Sequence, residues 1–158
     1  MIEQNPAAAL ARIPSGLFIL TVRDGDRSTG MLASWVQQAG FEPLTLTVAV
    51  ANGRYLQEWV EHSGRFVLNQ LATSDGPILK HFARGFAADE DAFHNIMVTQ
   101  IAKGGPVLEK SLGYLDCKLT GQLEAPDHCV YLAEVVGGAL LDPSAAPFVH
   151  TRRNATHY

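Results

Sequence analysis

Apolar and polar residues alternate along two parts of the chain, and this period of two predicts β-strands. Within Leu44–Val50 every second residue is leucine or valine, while threonine and alanine occupy the other face. A longer alternation runs through Leu115–Glu124, and after the turn Ala125–His128 a second apolar run covers Cys129–Val136. The last two runs predict a long antiparallel hairpin with one face toward solvent.

Shorter apolar runs predict the remaining strands. Gly16–Val22 and Gly30–Val36 are expected to form an early hairpin around the turn Asp24–Asp26, where Gly25 can adopt a positive φ. Three further strands are expected, one central and two short, at Arg65–Leu71, Asn95–Ile101 and Pro147–Arg153.

Two helices are predicted between these strands. Arg54–Ser63 has its apolar residues at helical spacing, and Gly64 provides the stop signal. A second, short helix is expected after Asp75, whose side chain can cap it, with Pro77 in the first turn. The apolar faces would consist of Leu56, Trp59 and Val60 in the first helix and Ile78, Leu79 and Phe82 in the second.

About seven strands with two or three short inserted helices predict a mostly β, mostly antiparallel barrel, because closure removes exposed strand edges. A doubly wound fold is disfavoured, since neither hairpin has a helix between its strands. The chain has 158 residues with no internal repeat or low-complexity linker. We therefore expect one domain over residues 1–158.

Charge and cysteine content narrow the classes of partner and compartment. The formal net charge is −4, with 12 basic and 16 acidic residues, which argues against nucleic-acid binding and docking on an anionic membrane. No run approaches the roughly 18 apolar residues of a membrane span. Cys117 and Cys129 form no C-x-x-C pair, and no signal peptide is apparent. These features predict a cytoplasmic protein with reduced thiols.

Common catalytic motifs are absent from the sequence. The six histidines form neither H-x-x-H nor H-E-x-x-H, so no metal site is expected. G-x-S-x-G, a Walker loop and a G-x-G-x-x-G after a strand are also missing. A hydrolase or a nucleoside triphosphatase is therefore disfavoured.

The stretch STGMLASWV, residues 28–36, combines strand-like apolar residues with the small residues Gly30, Ala33 and Ser34. Small side chains let a planar ligand approach the backbone. Farther along, Asn52-Gly53 favours a turn and Arg54 begins a helix, an arrangement that suits a phosphate. Together they suggest a mononucleotide with an aromatic head. The alternative is a core strand with a small-residue packing contact and a solvent-facing Arg54.

The sequence resembles the flavin reductase-like family, whose domain is an FMN-binding, Greek-key split β-barrel. The resemblance begins with STGMLASWVQQAGFEP and LTLTVAVANGR and continues through FVLNQLA, ILKHFARGFAADEDAF, LDCKLTGQL, DHCVYLAEV and HTRRNATHY. It covers nearly the whole chain, and within the family it is greatest to the C-terminal flavin reductase domain of cyanobacterial diflavin flavodiiron proteins.

This resemblance implies a set of flavin contacts. The family's strand along the flavin corresponds to Met31, Leu32, Ala33, Ser34, Trp35 and Val36. The turn toward the flavin phosphate corresponds to Ala51, Asn52 and Arg54, and an aromatic ring near the flavin corresponds to Phe82. From the residues alone, Trp35 could equally belong to the core.

The chain departs from the family pattern at two places. Gln37 and Gln38 follow the A-S pair, where many members have serine or threonine. The family's G-D-H is replaced by Pro126-Asp127-His128, so His128 is either a residue near the flavin or nicotinamide, or a turn histidine with local hydrogen bonds.

The resemblance implies an NAD(P)H:flavin oxidoreductase in which the nicotinamide stacks on the flavin and passes hydride to N5, with no catalytic side chain required. The implied cofactor is FMN, with FAD as an alternative, the substrate is NADH or NADPH, and the implied assembly is a homodimer with the flavin near its interface. The alternatives are an FMN-binding electron-transfer protein reduced by a partner, a non-catalytic flavin-binding module, and a purely structural barrel.

Overall fold

The computed structural model describes residues 1–157. Its helices are α1 (Pro6–Ala11), α2 (Tyr55–Ser63) and α3 (Gly76–Ala83). Its strands are β1 (Ser15–Gly16), β2 (Phe18–Asp24), β3 (Arg27–Ala33), β4 (Val36–Phe41), β5 (Leu44–Ala51), β6 (Arg65–Gln70), β7 (Val98–Thr99), β8 (Val107–Leu108), β9 (Gly113–Glu124), β10 (His128–Leu140) and β11 (Val149–His150).

Seven strands form one antiparallel sheet in the order β3-β2-β6-β9-β10-β5-β4. Its two edge strands, β3 and β4, follow each other in the chain through Ser34 and Trp35. The sheet therefore curls until its edges approach, and the carbonyl of Trp35 accepts a hydrogen bond from the N–H of Ala49 on β5 at 3.0 Å. The mostly β, antiparallel barrel with three short helices is as predicted.

The barrel interior is filled from β2, β5, β6 and β10 and covered at one end by α2. On β5 the predicted alternation is observed, with Leu46, Val48 and Val50 buried, although Leu44 at the start of the strand is exposed. The buried face of α2 consists of Leu56, Trp59 and Val60, and the helix ends at Gly64 with φ 67°, as predicted. Burial of apolar side chains such as these is the main favourable contribution to the stability of a folded domain.

A second, smaller core lies outside the barrel between β2 and α3. Ile19 of β2 packs there with Leu71 and Phe82, while Leu20 and Val22 point into the barrel. Strand β2 is thus buried on both faces, which explains why its sequence is continuously apolar instead of alternating.

The early hairpin differs from its prediction at one end. Gly25 makes the turn with φ 61° as expected, but β3 stops at Ala33 and does not continue to Val36. Ser34 and Trp35 leave the ladder because the chain crosses there from one edge of the sheet to the other. The following strand β4 pairs with β5 and was not predicted.

Other boundaries were also set too widely or missed. In the segments expected to be short strands at residues 95–101 and 147–153, only β7 and β11 are regular. Asp75 precedes α3 as predicted, but its carboxylate accepts the N–H of Ala72 at 2.7 Å and does not cap the helix. Helix α1 was not predicted, and Asn5 caps it through the N–H of Ala8 at 3.0 Å. Within residues 1–157, no helix is long and apolar enough to cross a lipid bilayer.

Candidate functional site

A cleft of about 290 Å³ lies where the end of β3 meets the turn after β5, the end of α3 and the C-terminal segment. We call it the main cleft. It is lined by Leu17, Met31, Leu32, Ala33, Ser34, Trp35, Ala49, Ala51, Arg54, Leu79, Phe82, Ala83, Arg84, Gly85, His150 and Arg152. Eight of the ten predicted cofactor-binding residues are thus brought together, and Val36 and Asn52 are not among the lining residues.

The three small residues of the 28–36 stretch have different neighbours. A Cβ on Gly30 would lie 3.0 Å from Cε1 of Phe82 and 3.3 Å from Cγ2 of Thr21, so the space beside Gly30 is filled by protein. Ala33 is only 5% exposed and packs against the barrel core, yet it lines the cleft together with the half-buried Ser34. The room for a ligand therefore lies at Ala33 and Ser34, whereas the packing interpretation is correct for Gly30.

Phe82 forms the back wall of the cleft. Its side chain is 1% exposed, and its ring makes an edge contact with Phe86 at 5.7 Å between centroids. It also lies over Gly30. Phe82 is thus mainly a core residue, and it can offer a ligand only a small part of its surface.

Two arginines lie beside the turn that follows α3. Arg54 occupies the N-cap position of α2 and is exposed, and its Nη1 is 3.7 Å from where a Cβ on Gly85 would be. Arg84 packs on the ring of Phe86 at 4.2 Å and pairs with Glu90 at 3.3 Å. Among residues 1–157, no carboxylate lies within ion-pair distance of Arg54. Arg54 is therefore available to an anionic ligand.

Trp35 lies at the cleft wall and is half-buried. Its ring contacts His128 at 4.6 Å with a tilt of 37°, and the guanidinium of Arg152 lies 5.0 Å from its centre. These contacts fix the orientation of the indole. The sequence left Trp35 open between core and cleft, and the structure places it at the cleft.

His128 is buried behind Trp35 and does not line the main cleft. Its Nδ1 is 2.6 Å from Oδ1 of Asp127, and the carbonyl of Asp127 accepts the N–H of Asn52 at 2.9 Å. The 125–128 turn is thereby tied to the 51–54 turn. This local bonding agrees with the turn-histidine interpretation, and the ring of His128 contacts Trp35 of the cleft wall.

Among residues 1–157, the permanently charged side chains that line the cleft are all arginines. They are Arg54, Arg84 and Arg152, with His150 beside them, and none of the described lining residues is Asp or Glu. A concave site with several guanidinium groups suits a phosphate or another anion.

Sequence reasoning missed eight of the lining residues, and four of these form the polar end of the cleft or its turn: Arg84, Gly85, His150 and Arg152. Arg84 and Gly85 follow directly on the predicted second helix. Only the three-dimensional fold shows that the C-terminal end of this helix lies near the 51–54 turn. The signal for the other two was the basic stretch HTRR, residues 150–153.

A shallower groove of about 400 Å³ adjoins the main cleft. We call it the side groove. It shares Ser34, Trp35 and Arg152 with the main cleft, and the rest of its lining is Leu10, Ile13, Pro14, Ser15, Val36, Gln37, Thr47 and Ala155. The predicted site residue Val36 therefore faces this second cavity.

Neither cysteine supplies a reactive thiolate. Both are buried, and burial raises the pKa of Cys117 to about 12 and raises that of Cys129 as well. Among the described residues, no group of three or more His, Cys, Asp or Glu side chains could hold a metal ion.

Comparisons with known proteins agree with this architecture. Diflavin flavoprotein A 1 of Synechocystis sp. is 36% identical over 158 residues, covering 99% of this chain and 28% of that protein. The chain thus spans about a quarter of the length of the curated relatives it matches.

Solved structures show the same fold. The NADH:FAD oxidoreductase of Streptomyces globisporus has a TM-score of 0.83 at 19% identity, covering 91% of this chain and 86% of that one. The styrene monooxygenase flavin reductase of Pseudomonas putida has a TM-score of 0.77 at 20% identity, covering 91% and 90%. These likenesses confirm the split-barrel fold. The profile of the family described as "Flavin reductase like domain" matches residues 10–158, so the chain belongs to the flavin reductase-like family.

Proposed function

We propose that the chain binds FMN in the main cleft and acts as an NAD(P)H:flavin oxidoreductase. The observation that carries the proposal is the combination of a small-residue wall at Ala33 and Ser34 with the arginines of the same cleft. A flat ring system requires close approach to backbone, and its phosphate requires guanidinium groups. Family membership and the names of the structural neighbours support the same assignment.

In this proposal, the role of the protein is to bind FMN and to orient its ring system. The 33–35 segment would lie along the ring system, and Arg54 and Arg84 would hold the phosphate, with Arg84 also paired to Glu90 at 3.3 Å. A volume of about 290 Å³ is at the lower end of the roughly 300–1,000 Å³ of ligand pockets. We therefore expect one face of the ring to stay accessible to a second molecule.

The flavin, when bound, supplies the hydride chemistry, and no protein acid or base is required at the reacting atom. The ring of Trp35 contacts both His128 and the guanidinium of Arg152. It would present a fixed wall against which the two ligands are oriented. On this proposal, His128 acts by positioning Trp35 and touches neither ligand.

One observation favours a second candidate function. The curated relatives are about four times as long as this chain, so in them the matching segment is a part of a larger protein. Such a segment could receive electrons from another protein and not from a nicotinamide.

Steady-state oxidation of NADH and NADPH by the purified protein, with and without FMN, tests the proposal. We expect FMN-dependent oxidation of at least one of the two. FMN binding without oxidation of either would favour the electron-transfer protein or the non-catalytic module, and failure to bind FMN would leave a structural barrel.

We also propose a homodimer. On the outer face of the β9–β10 hairpin, Leu123 and Leu132 are 68% and 39% exposed. They lie near each other, because Leu123 pairs with Val130 and Leu132 pairs with Gly121 in the antiparallel register. A second copy of the chain is the simplest cover for such an apolar surface.

A further inference from the structure

The loop of residues 84–90, which follows α3, brings an arginine to the main cleft and pairs it with a carboxylate outside the cleft. Arg84 lines the cleft, whereas Glu90 is not among the lining residues. Nη1 of Arg84 lies 3.3 Å from Oε1 of Glu90. Glu90 therefore contacts a side chain that can bind a ligand without itself bordering the ligand space.

The guanidinium of Arg84 has a second neighbour besides Glu90. It packs over the ring of Phe86 at 4.2 Å, and that ring is fixed in turn by its edge contact with the buried Phe82. A guanidinium has five N–H donors, so its pairing with Glu90 through Nη1 leaves donors for another anion. Arg84 is thus restrained without being used up.

Glu90 is itself held in place by the backbone of the same loop. Its Oε2 accepts the N–H of Ala87 at 2.6 Å, and the carbonyl of Ala87 accepts the hydroxyl of Tyr55 at 3.4 Å. Tyr55 follows Arg54 at the start of α2, so the loop is tied to the helix that carries the other arginine. The bond from Ala87 and the charge of Arg84 lower the pKa of Glu90, which keeps its carboxylate ionised at neutral pH.

The stability of the fold does not account for this pair. The side chains of Arg84 and Glu90 are 59% and 43% exposed, and exposed ion pairs contribute little to folding. Orientation of the arginine is a different matter, because a long side chain loses rotamer freedom when it binds a ligand. A contact that restrains the side chain beforehand reduces this loss.

We propose that Glu90 is a positioning residue for the phosphate end of the main cleft. It restrains Arg84 before the ligand arrives, so that the guanidinium is ready to bind the phosphate of FMN. Glu90 itself touches neither the flavin nor the nicotinamide. This inference rests on the proposed function, in which Arg84 holds that phosphate.

The first test compares the dissociation constants of FMN and riboflavin by fluorescence titration of the flavin-free protein. Glu90→Ala should weaken FMN binding by about two- to tenfold, the cost of immobilising one long side chain. Riboflavin has no phosphate, and its binding should not change.

Asp89→Ala is the matched control. Asp89 is the exposed carboxylate next to Glu90, and within residues 1–157 it forms no ion pair. Removing either carboxylate lowers the repulsion of the phosphate by a similar amount, so Asp89→Ala measures that effect alone. It should bind FMN at least as tightly as the wild type.

A double-mutant cycle with Arg84→Gln shows whether Glu90 acts through the arginine. In the Arg84→Gln protein, Glu90→Ala should cause no further loss of FMN affinity. If Glu90 only maintained the loop through Ala87, the loss would be the same with and without Arg84. Both side chains are exposed, so the melting temperatures of the flavin-free variants should be close to that of the wild type.

The proposal is overturned if Glu90→Ala binds FMN as tightly as Asp89→Ala does, or if its loss persists in the Arg84→Gln protein. A wild type that binds FMN no more tightly than riboflavin, or binds neither, would also overturn it. The proposed function can fail separately, since these titrations contain no nicotinamide. FMN binding without oxidation of NADH or NADPH would remove the oxidoreductase and leave the role of Glu90 to be decided by the cycle.

Discussion

Arg54 and Arg84 reach the same end of the main cleft from different elements, and the pairing of Arg84 with Glu90 distinguishes them. Arg54 has no such partner among residues 1–157, so its charge can be directed wholly at a ligand. The sequence predicted Arg54, because it follows a turn and precedes a helix. It could not predict Arg84, whose approach depends on how α3 packs against β3.

If Arg54 contacts the FMN phosphate, replacing it should remove a charge-assisted hydrogen bond. Such bonds contribute roughly 1.5–3 kcal/mol, so Arg54→Ala should weaken FMN binding by about one to two decades. Riboflavin lacks the phosphate and should bind to the variant as it does to the wild type. Fluorescence titration with both ligands measures this, with Arg153→Ala as the control. Equal losses for FMN and riboflavin would remove Arg54 from the phosphate site.

Ser34 is the residue at which added bulk should block the ligand without disturbing the core. It is half-buried and lines both cavities, whereas Ala33 packs against the barrel core. Ser34→Leu should keep the melting temperature of the flavin-free protein, and FMN should no longer raise it through binding linkage. Ala33→Leu should instead overpack and cost about 1–3 kcal/mol of stability. Normal FMN stabilisation of Ser34→Leu would exclude this wall from the site.

The buried thiol of Cys117 makes stability depend on alkaline pH. Burial is the main cause that raises its pKa to about 12, and the neighbouring carboxylate of Asp116 acts in the same direction. The protonated Cys117 thiol makes its full contribution to the free energy of unfolding below the pKa of the thiol in the unfolded chain, about 8.5. This contribution is lost as the pH rises toward the higher pKa of the thiol in the folded protein. The unfolding free energy of the wild type should thus fall with pH more steeply than that of Cys117→Ala, by at most about 1.4 kcal/mol per unit. Urea unfolding of both proteins at about pH 8 and pH 10 measures the difference. Parallel slopes would contradict it.

At the scale of elements, the periodic strands and α2 were predictable because each forms its pattern from its own residues. The end of β3 was not, because Ser34 and Trp35 leave the ladder only to satisfy the crossing between the two sheet edges. Strand β4 could not be predicted either, because its residues are mostly exposed and show no apolar alternation. Its extended conformation depends on its pairing with β5. The two-stranded pair of β1 with β11 likewise depends on contacts between the ends of the chain.

The contact of β3 with α3 gives a test of the packing role of Gly30. A methyl group there would lie 3.0 Å from Cε1 of Phe82, and Phe82 cannot move freely because it is 1% exposed. Gly30→Ala should therefore destabilise the protein by about 1–3 kcal/mol. FMN affinity of the folded variant should be close to that of the wild type. Thermal unfolding and FMN titration measure the two effects, and a selective loss of FMN affinity would place Gly30 in the ligand site instead.

At the scale of the whole molecule, the fold class followed from alternation and from hairpins without helices, and eight of the ten predicted site residues line one cleft. The missing part of the site comes from the C-terminal segment, since His150 and Arg152 are brought to the cleft by β11 and by the bond to Ala11. Local patterns cannot show such a return of the chain. Spacing alone had left the 28–36 stretch open between a ligand groove and a packed core, and the resemblance to a known family is what suggested a flavin as the ligand.

If the flavin is covered by a second copy of the chain, dimerisation and flavin retention should be coupled. Dilution of the yellow protein that dissociates the dimer should then release FMN. Analytical ultracentrifugation, recorded at a wavelength absorbed by the flavin, follows both quantities at once. A monomer that keeps one FMN per chain would show that a second copy of the chain does not cover the flavin.

If the proposed function is correct, this chain orients a flavin for reduction by a nicotinamide. Anaerobic titration of the FMN-saturated protein with NADH or NADPH, followed at the flavin absorption band, tests this in one step. Complete bleaching is expected with about one equivalent of reduced nicotinamide per FMN, since each carries two electrons. A band that persists in excess NADH and NADPH, yet disappears with dithionite, would show that the bound flavin can be reduced but does not accept hydride from a nicotinamide.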